Sequence, residues 1–144
     1  MITTLSEQMC RFSWLAGDAQ HSLLFKIDSE LKFRMPTSFS RQITPLLHRL
    51  RLNFPFSARL LHKIGQNPSP NSSECGVIED TEHILFECSK YTASRSVLDA
   101  TMARLDPRLF DAVKVLGSWP AQHQVTVLKA LVKFLNDTSL IETL

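Results

Sequence analysis

Ser72, Cys75, His83 and Cys88 stand at the spacing S-x2-C-x7-H-x4-C, one residue short of a CCHC zinc pattern. Thiolate and imidazole are zinc's preferred ligands, and this spacing lets a short loop and one helical turn converge on a tetrahedral ion. Ligand bonds of about 2.0–2.3 Å then require the three donor atoms to approach within roughly 4 Å of one another. Ser72 occupies the fourth ligand position, and a serine hydroxyl is a poor zinc ligand at neutral pH. Zinc is therefore the expected cofactor, held at Cys75, His83 and Cys88 with Ser72 as the weak point. His62, Ser73, Glu74 and Cys10 are further candidates to fill the vacancy.

A second kind of chemistry comes from charge. Between Leu31 and Ser73 there is no Asp or Glu, whereas Lys32, Arg34, Arg41, Arg49, Arg51, Arg59 and Lys63 are basic. The chain as a whole carries only +2, so the remainder is net acidic. A one-signed block of this length suits phosphate binding, with a solvated helix face as the plain alternative. Arg41, Arg49, Arg51, Arg59 and Lys63 are the candidate nucleic-acid contacts. Phe54, Phe56 and Tyr91 could stack on unpaired bases, although Phe54 and Phe56 are expected in the core. His21, His48 and His123 stand alone and suggest no chemistry.

The elements that would position these residues are helical. A helix is expected over residues 4–16, capped by Thr4 or Ser6, with Leu5, Met9, Phe12 and Ala16 on one face. His21 to Phe33 reads as either extended or helical, and Met35-Pro36-Thr37-Ser38 breaks it. Ile43, Leu46, Leu47 and Leu50 form a stripe, with Thr44 as cap, Pro45 in the first position, and Arg49 and Arg51 off the stripe. A second helix through Phe56 to Ile64 stops at Gly65 and completes an αα-hairpin with basic outer faces. Asp80 or Thr81 opens the short helix carrying His83. Tyr91 to Leu105 follows, with Val97, Leu98, Ala100, Met102 and Leu105 inward. Asp106-Pro107 opens a short helix closed by Gly117, and Gln122 to Asn136 turns Val125, Leu128, Leu131, Val132 and Leu135 inward. The expected fold is mainly α, a small helical domain with a short zinc-knuckle-like insertion and no substantial sheet. Its segments are residues 1–38 (helix and linker), 39–66 (basic hairpin), 67–90 (degenerate knuckle) and 91–144 (C-terminal helices).

A length of 144 residues with 44% hydrophobic content suffices for a real core. No run approaches the roughly 20 apolar residues of a membrane span. Met1 to Glu7 lacks the basic and then apolar pattern of a secretory signal, and three cysteines make no disulfide framework. Nucleus or cytoplasm is the expected compartment. Neither G-x-S-x-G, H-E-x-x-H nor G-x-x-x-x-G-K-[ST] occurs, so no enzyme is expected. Three ligands with an open position also describe catalytic zinc, but no positioned general base accompanies them.

The ordered set Leu47-His48-Arg49-Leu50-Arg51, Ile64-Gly65, Ser69-Pro70, Glu74-Cys75-Gly76, Glu82-His83-Ile84-Leu85 and Cys88 with Tyr91 and Arg95 resembles the C-terminal region of non-LTR retrotransposon polyproteins. There the pattern reads L-x-R-L-R … IG … SP-x-C-x-x-C-G … E-H-x-L-x-x-C-x-x-Y-x-x-x-R. Leu116-Gly117-Ser118-Trp119-Pro120 and Phe134-Leu135 resemble the LG-x-WP and FL segments of the tick and arthropod members. The resemblance runs from about Phe33 onward. It implies a fragment downstream of the reverse transcriptase, lacking the polymerase, endonuclease and ribonuclease H active sites. Its role would be accessory RNA or DNA binding beside the parent polyprotein. The alternative is a degenerate remnant or a helical interaction module that binds no nucleic acid.

Overall fold

The computed structural model describes residues 22–144; the helix expected over residues 4–16, Cys10 and His21 lie outside that range. The first described helix, α1 (Leu23–Asp28), settles the ambiguous segment as helical. Its cap is Ser22, whose hydroxyl accepts the Phe25 N–H at 3.1 Å. The chain then turns through Leu31 at φ 54° and continues without regular secondary structure to Pro36. Asp28 fixes that exit by accepting the Lys32 and Phe33 N–H groups at 2.8 and 3.0 Å.

Helix α2 (Ile43–Arg51) buries Leu46, Leu47 and Leu50, the stripe expected of it. It starts earlier than Thr44, because Ser40 takes the capping role: its hydroxyl accepts the Ile43 N–H and its carbonyl the Thr44 N–H. Pro45 sits in the first turn, where its missing N–H leaves no bond unmade. Helix α3 (Ala58–Lys63) ends at Gly65, which adopts φ +81°. Gly65 donates to the His62 carbonyl at 3.0 Å and Gln66 to the Leu61 carbonyl at 2.8 Å, the pattern that a left-handed residue after a helix allows. No α3 side chain is fully buried.

The C-terminal half contains α4 (Thr92–Leu105), α5 (Ala112–Leu116) and α6 (Ala121–Asp137), followed by a 3-10 turn at Leu140–Glu142. Helices α4 and α6 pack on each other, while α1 lies against α5 and α2. Of the inward set expected on α4, Leu98 and Met102 are buried and Val97 is 49% exposed. A helix with one main neighbour buries only a narrow i, i+4 seam. Helix α6 is covered more widely and buries Val127 and Phe134 besides Leu128, Leu131 and Leu135.

Asp106-Pro107 opens no helix. Asp106 instead accepts from the Arg108 backbone and guanidinium, and Asp111 caps α5 through the Lys114 N–H at 3.0 Å. The buried Lys114 ammonium is satisfied by the carbonyls of Asp106 and Arg108 at 2.7 and 2.8 Å. Gly117 closes α5 where the backbone of α1 passes. A Cβ there would meet the Ile27 carbonyl at 2.9 Å and collide with the Val113 carbonyl. One buried cluster draws Phe33, Leu47, Leu85, Leu98, Val115, Leu131 and Leu144 together, with no member from α3 or the ligand loop that follows it. The fold is mainly helical. Among the described residues there is no sheet, only an isolated antiparallel bridge between Asn71 and Ile78.

Candidate metal centre

The bridge between Asn71 and Ile78 closes the loop that carries Ser72 and Cys75. Within it, the Ser72 N–H donates to the Val77 carbonyl at 2.7 Å and the Gly76 N–H to the Ser72 carbonyl at 2.9 Å. Gly76 takes φ +71°, a conformation that glycine adopts without a Cβ penalty. The second ligand segment begins at Asp80, whose carboxylate accepts the His83 N–H at 2.9 Å and so caps the helical turn that follows. His83 to Glu87 form a π-helical turn, and the Cys88 N–H reaches back to the His83 carbonyl at 2.7 Å. That wide turn is what sets His83 and Cys88 beside each other. Ile84 and Leu85 anchor it in the core at 1% and 0% exposure.

The donor atoms of Cys75, His83 and Cys88 all lie within 4.8 Å of one another, and the two sulfurs are 3.8 Å apart. The convergence expected from the spacing is therefore present. Ser72 is buried, and its hydroxyl lies near enough to both thiols to lower their pKa values, so the fourth pattern position faces the same point. Among the described residues neither His62 nor Glu74 joins this group. His62 instead contacts the Asn67 carbonyl at 3.0 Å.

Two observations show that this donor set fits a metal ion. His83 is 3% exposed, yet among the described residues neither of its ring nitrogens has a hydrogen-bond partner. An unsatisfied buried polar group costs about 1–3 kcal/mol, which a cation at one nitrogen relieves. The Glu87 carboxylate lies 3.7 Å from His83 Nδ1, beyond bonding range but placed as the carboxylate partner that metal-binding histidines usually have. Of the two sulfurs, that of Cys75 is set for ionisation. The Ser89 N–H, the Ser89 hydroxyl, Cys88 and Ser72 hold the Cys75 thiol below its ordinary pKa against the opposing effect of burial. Burial pushes the Cys88 thiol up, with the Lys90 N–H opposing. Cys75 is thus the first of the pair to ionise. The group could hold a metal ion.

Arg95 supports the centre from α4. Its guanidinium donates to the carbonyls of Leu85 at 2.8 Å, Ile84 at 3.3 Å and Cys88 at 2.7 Å, the acceptors that a wide turn leaves open. A planar fork with several donors meets three carbonyls at once. Spacing alone gives no hint of this, since Arg95 is seven residues past the last ligand.

The basic candidates differ in exposure and in what they bond. Arg51 is 6% exposed and points inward: it donates to the Leu116 carbonyl at 2.9 Å, pairs with Asp28 at 3.1 Å, and lies 3.7 Å over the Phe33 ring. The expectation that Arg51 sits off the buried face and meets phosphates is corrected. Position 51 ends α2 where α1 and α5 meet, and a guanidinium there satisfies both the buried carboxylate and a helix-end carbonyl. Arg49 is half-buried and donates to the Leu144 carbonyl at 2.8 Å. Arg59, also half-buried, reaches the Asn53 carbonyl at 3.3 Å, while Arg41 and Lys63 are exposed. No family model matches the chain, and no similar curated protein or solved structure is found.

Proposed function

We propose that the chain is a zinc-stabilised helical segment of a non-LTR retrotransposon polyprotein, contributing accessory RNA or DNA binding and no catalysis. The observation that carries the metal part is the buried, unpartnered His83 imidazole grouped with the Cys75 and Cys88 thiols. The ion's role is local folding: it joins the 70–79 loop to the π-helical turn, and Ser72 or water takes the fourth position. The nucleic-acid part rests on the acid-free run from Leu31 to Ser73 and on the exposed Arg41 and Lys63 within it.

The test is direct. The purified protein should bind one zinc ion, lost in a Cys75→Ser Cys88→Ser variant, and should bind oligonucleotides at low salt. Three phosphate contacts (Arg41, Arg59 and Lys63) give a log–log salt slope of about −2 on single strands, at roughly −0.7 each. A zinc-free protein, or a folded protein that ignores oligonucleotides at low salt, overturns the corresponding half of the reading. The second reading, a helical interaction module without nucleic-acid binding, is favoured by Arg49 and Arg51, whose side chains are spent on internal carbonyls and Asp28.

A further inference from the structure

The turn between α2 and α3 presents its aromatic residues outward. Phe54 is 47% exposed and Phe56 45%, although the sequence expects both in the core. The residue between them, Pro55, is the one that is buried. Each ring carries a cation: Lys63 Nζ lies 6.0 Å from the centroid of Phe54, and Arg49 Cζ 4.7 Å from that of Phe56.

The turn is also held at both ends. Asn53 takes φ 62°, its side-chain oxygen accepts the Thr81 N–H at 3.0 Å, and the Phe54 N–H donates to the Arg49 carbonyl at 2.8 Å. Beyond it, the Ala58 N–H donates to the Glu79 carboxylate at 2.8 Å. Thr81 and Glu79 belong to the segment that links the two halves of the metal centre, so that segment braces the turn. Glu79 is the acid nearest in these contacts, and its charge is engaged at the start of α3.

We propose that Phe54 and Phe56 form a stacking platform for unpaired bases, with Lys63 on the adjoining phosphates; this rests on the nucleic-acid reading above. Exposed rings fixed in place and flanked by cations, in a run of 43 residues without an acid, suit a ligand that is both aromatic and anionic. Residues two apart in sequence have Cα atoms no more than about 7 Å apart. Both rings are therefore within reach of one strand. A duplex hides its base faces, which makes single strands the ligand. Arg49, tied to the Leu144 carbonyl, positions the Phe56 ring and is not itself a phosphate contact.

The experiment compares binding of labelled 12-nucleotide oligouridylate, oligothymidylate and a duplex of equal length to zinc-loaded full chain. Phe54→Ala and Phe56→Ala should each weaken single-strand binding roughly 5- to 150-fold, the loss of one base stack, and leave the salt slope unchanged. Phe54→Trp should bind at least as well as the unaltered protein, which guards against a folding artefact. Lys63→Gln should flatten the slope by about 0.7. RNA and DNA arms that behave alike fit stacking alone, and a preference for one names the strand. If the unaltered protein binds and Lys63→Gln flattens the slope while both Ala variants bind normally, the platform is wrong and the nucleic-acid reading stands. If the folded protein binds no oligonucleotide and self-associates in a way that Phe54→Ala Phe56→Ala abolishes, both fall and the face is a protein contact.

Discussion

Ser72 is buried beside both thiols, so replacing its hydroxyl by a thiol offers the group a fourth ligand. Ser72→Cys should therefore raise zinc affinity by orders of magnitude, measured by competition with a chromophoric chelator. Equal affinity in the two proteins would show that the site is completed elsewhere. Arg51→Ala should unfold the protein far more readily than an exposed arginine change would. It leaves Asp28 buried and its guanidinium partner gone, a loss of about 3–5 kcal/mol when one side of a buried pair is removed. Denaturant midpoints of Arg51→Ala and Arg41→Ala make the comparison. Burial pushes the Asp28 carboxyl up, but the Phe33 and Lys32 N–H groups and Arg51 outweigh it and hold its pKa below the usual range. A depressed carboxyl contributes stability above the unfolded pKa of about 3.9, and that contribution is lost as pH falls through the folded value. Asp28→Asn should accordingly flatten the acid limb of stability against pH.

The π-helical turn is the element on which the metal centre depends. An ordinary helical turn from His83 would carry the chain onward, whereas the Cys88 N–H to His83 carbonyl bond draws both ligand residues together. Arg95 holds that turn by its three carbonyl contacts. Arg95→Leu should lower metal affinity about 10- to 100-fold, as loss of a residue bonded around a ligand typically does. Arg95→Lys should recover little, since an ammonium does not span three carbonyls. At the crossing of α1 and α5, Gly117→Ala forces a methyl against the Ile27 and Val113 carbonyls. The expected cost is about 1–3 kcal/mol, as for other overpacked positions, and a thermal melt reads it.

At the scale of the whole molecule, much of the core lies on helices that carry no metal ligand. Met102, Val115, Leu128, Leu131 and Leu135 pack among α4, α5 and α6, away from Cys75. Chelation should therefore open residues 70–90 and spare α4 and α6, which hydrogen exchange resolves segment by segment. Uniform loss of protection along the chain would mean that the metal holds the whole fold. Because Thr81 and Glu79 brace the Phe54–Phe56 turn, chelation should also weaken single-strand binding.

Hydrophobic spacing sufficed for the main stripes of two helices: Leu46, Leu47 and Leu50 on α2, and Leu128, Leu131 and Leu135 on α6, are buried as their period requires. Ligand types and spacing likewise picked out Cys75, His83 and Cys88, because a loop and one turn are local structures. Ser22 and Ser40 as helix starts depended on finer competition between nearby hydroxyls. The direction of charged and aromatic side chains was not local at all. Arg51 reads as a surface residue until Asp28 and the Leu116 carbonyl, 23 and 65 positions away in sequence, arrive beside it. Phe54 and Phe56 read as core until the turn buries Pro55 in their place. A period decides which side of a helix is apolar. Only the packed chain decides what meets the end of that helix, and there the unpaired carbonyls and carboxylates choose their partners.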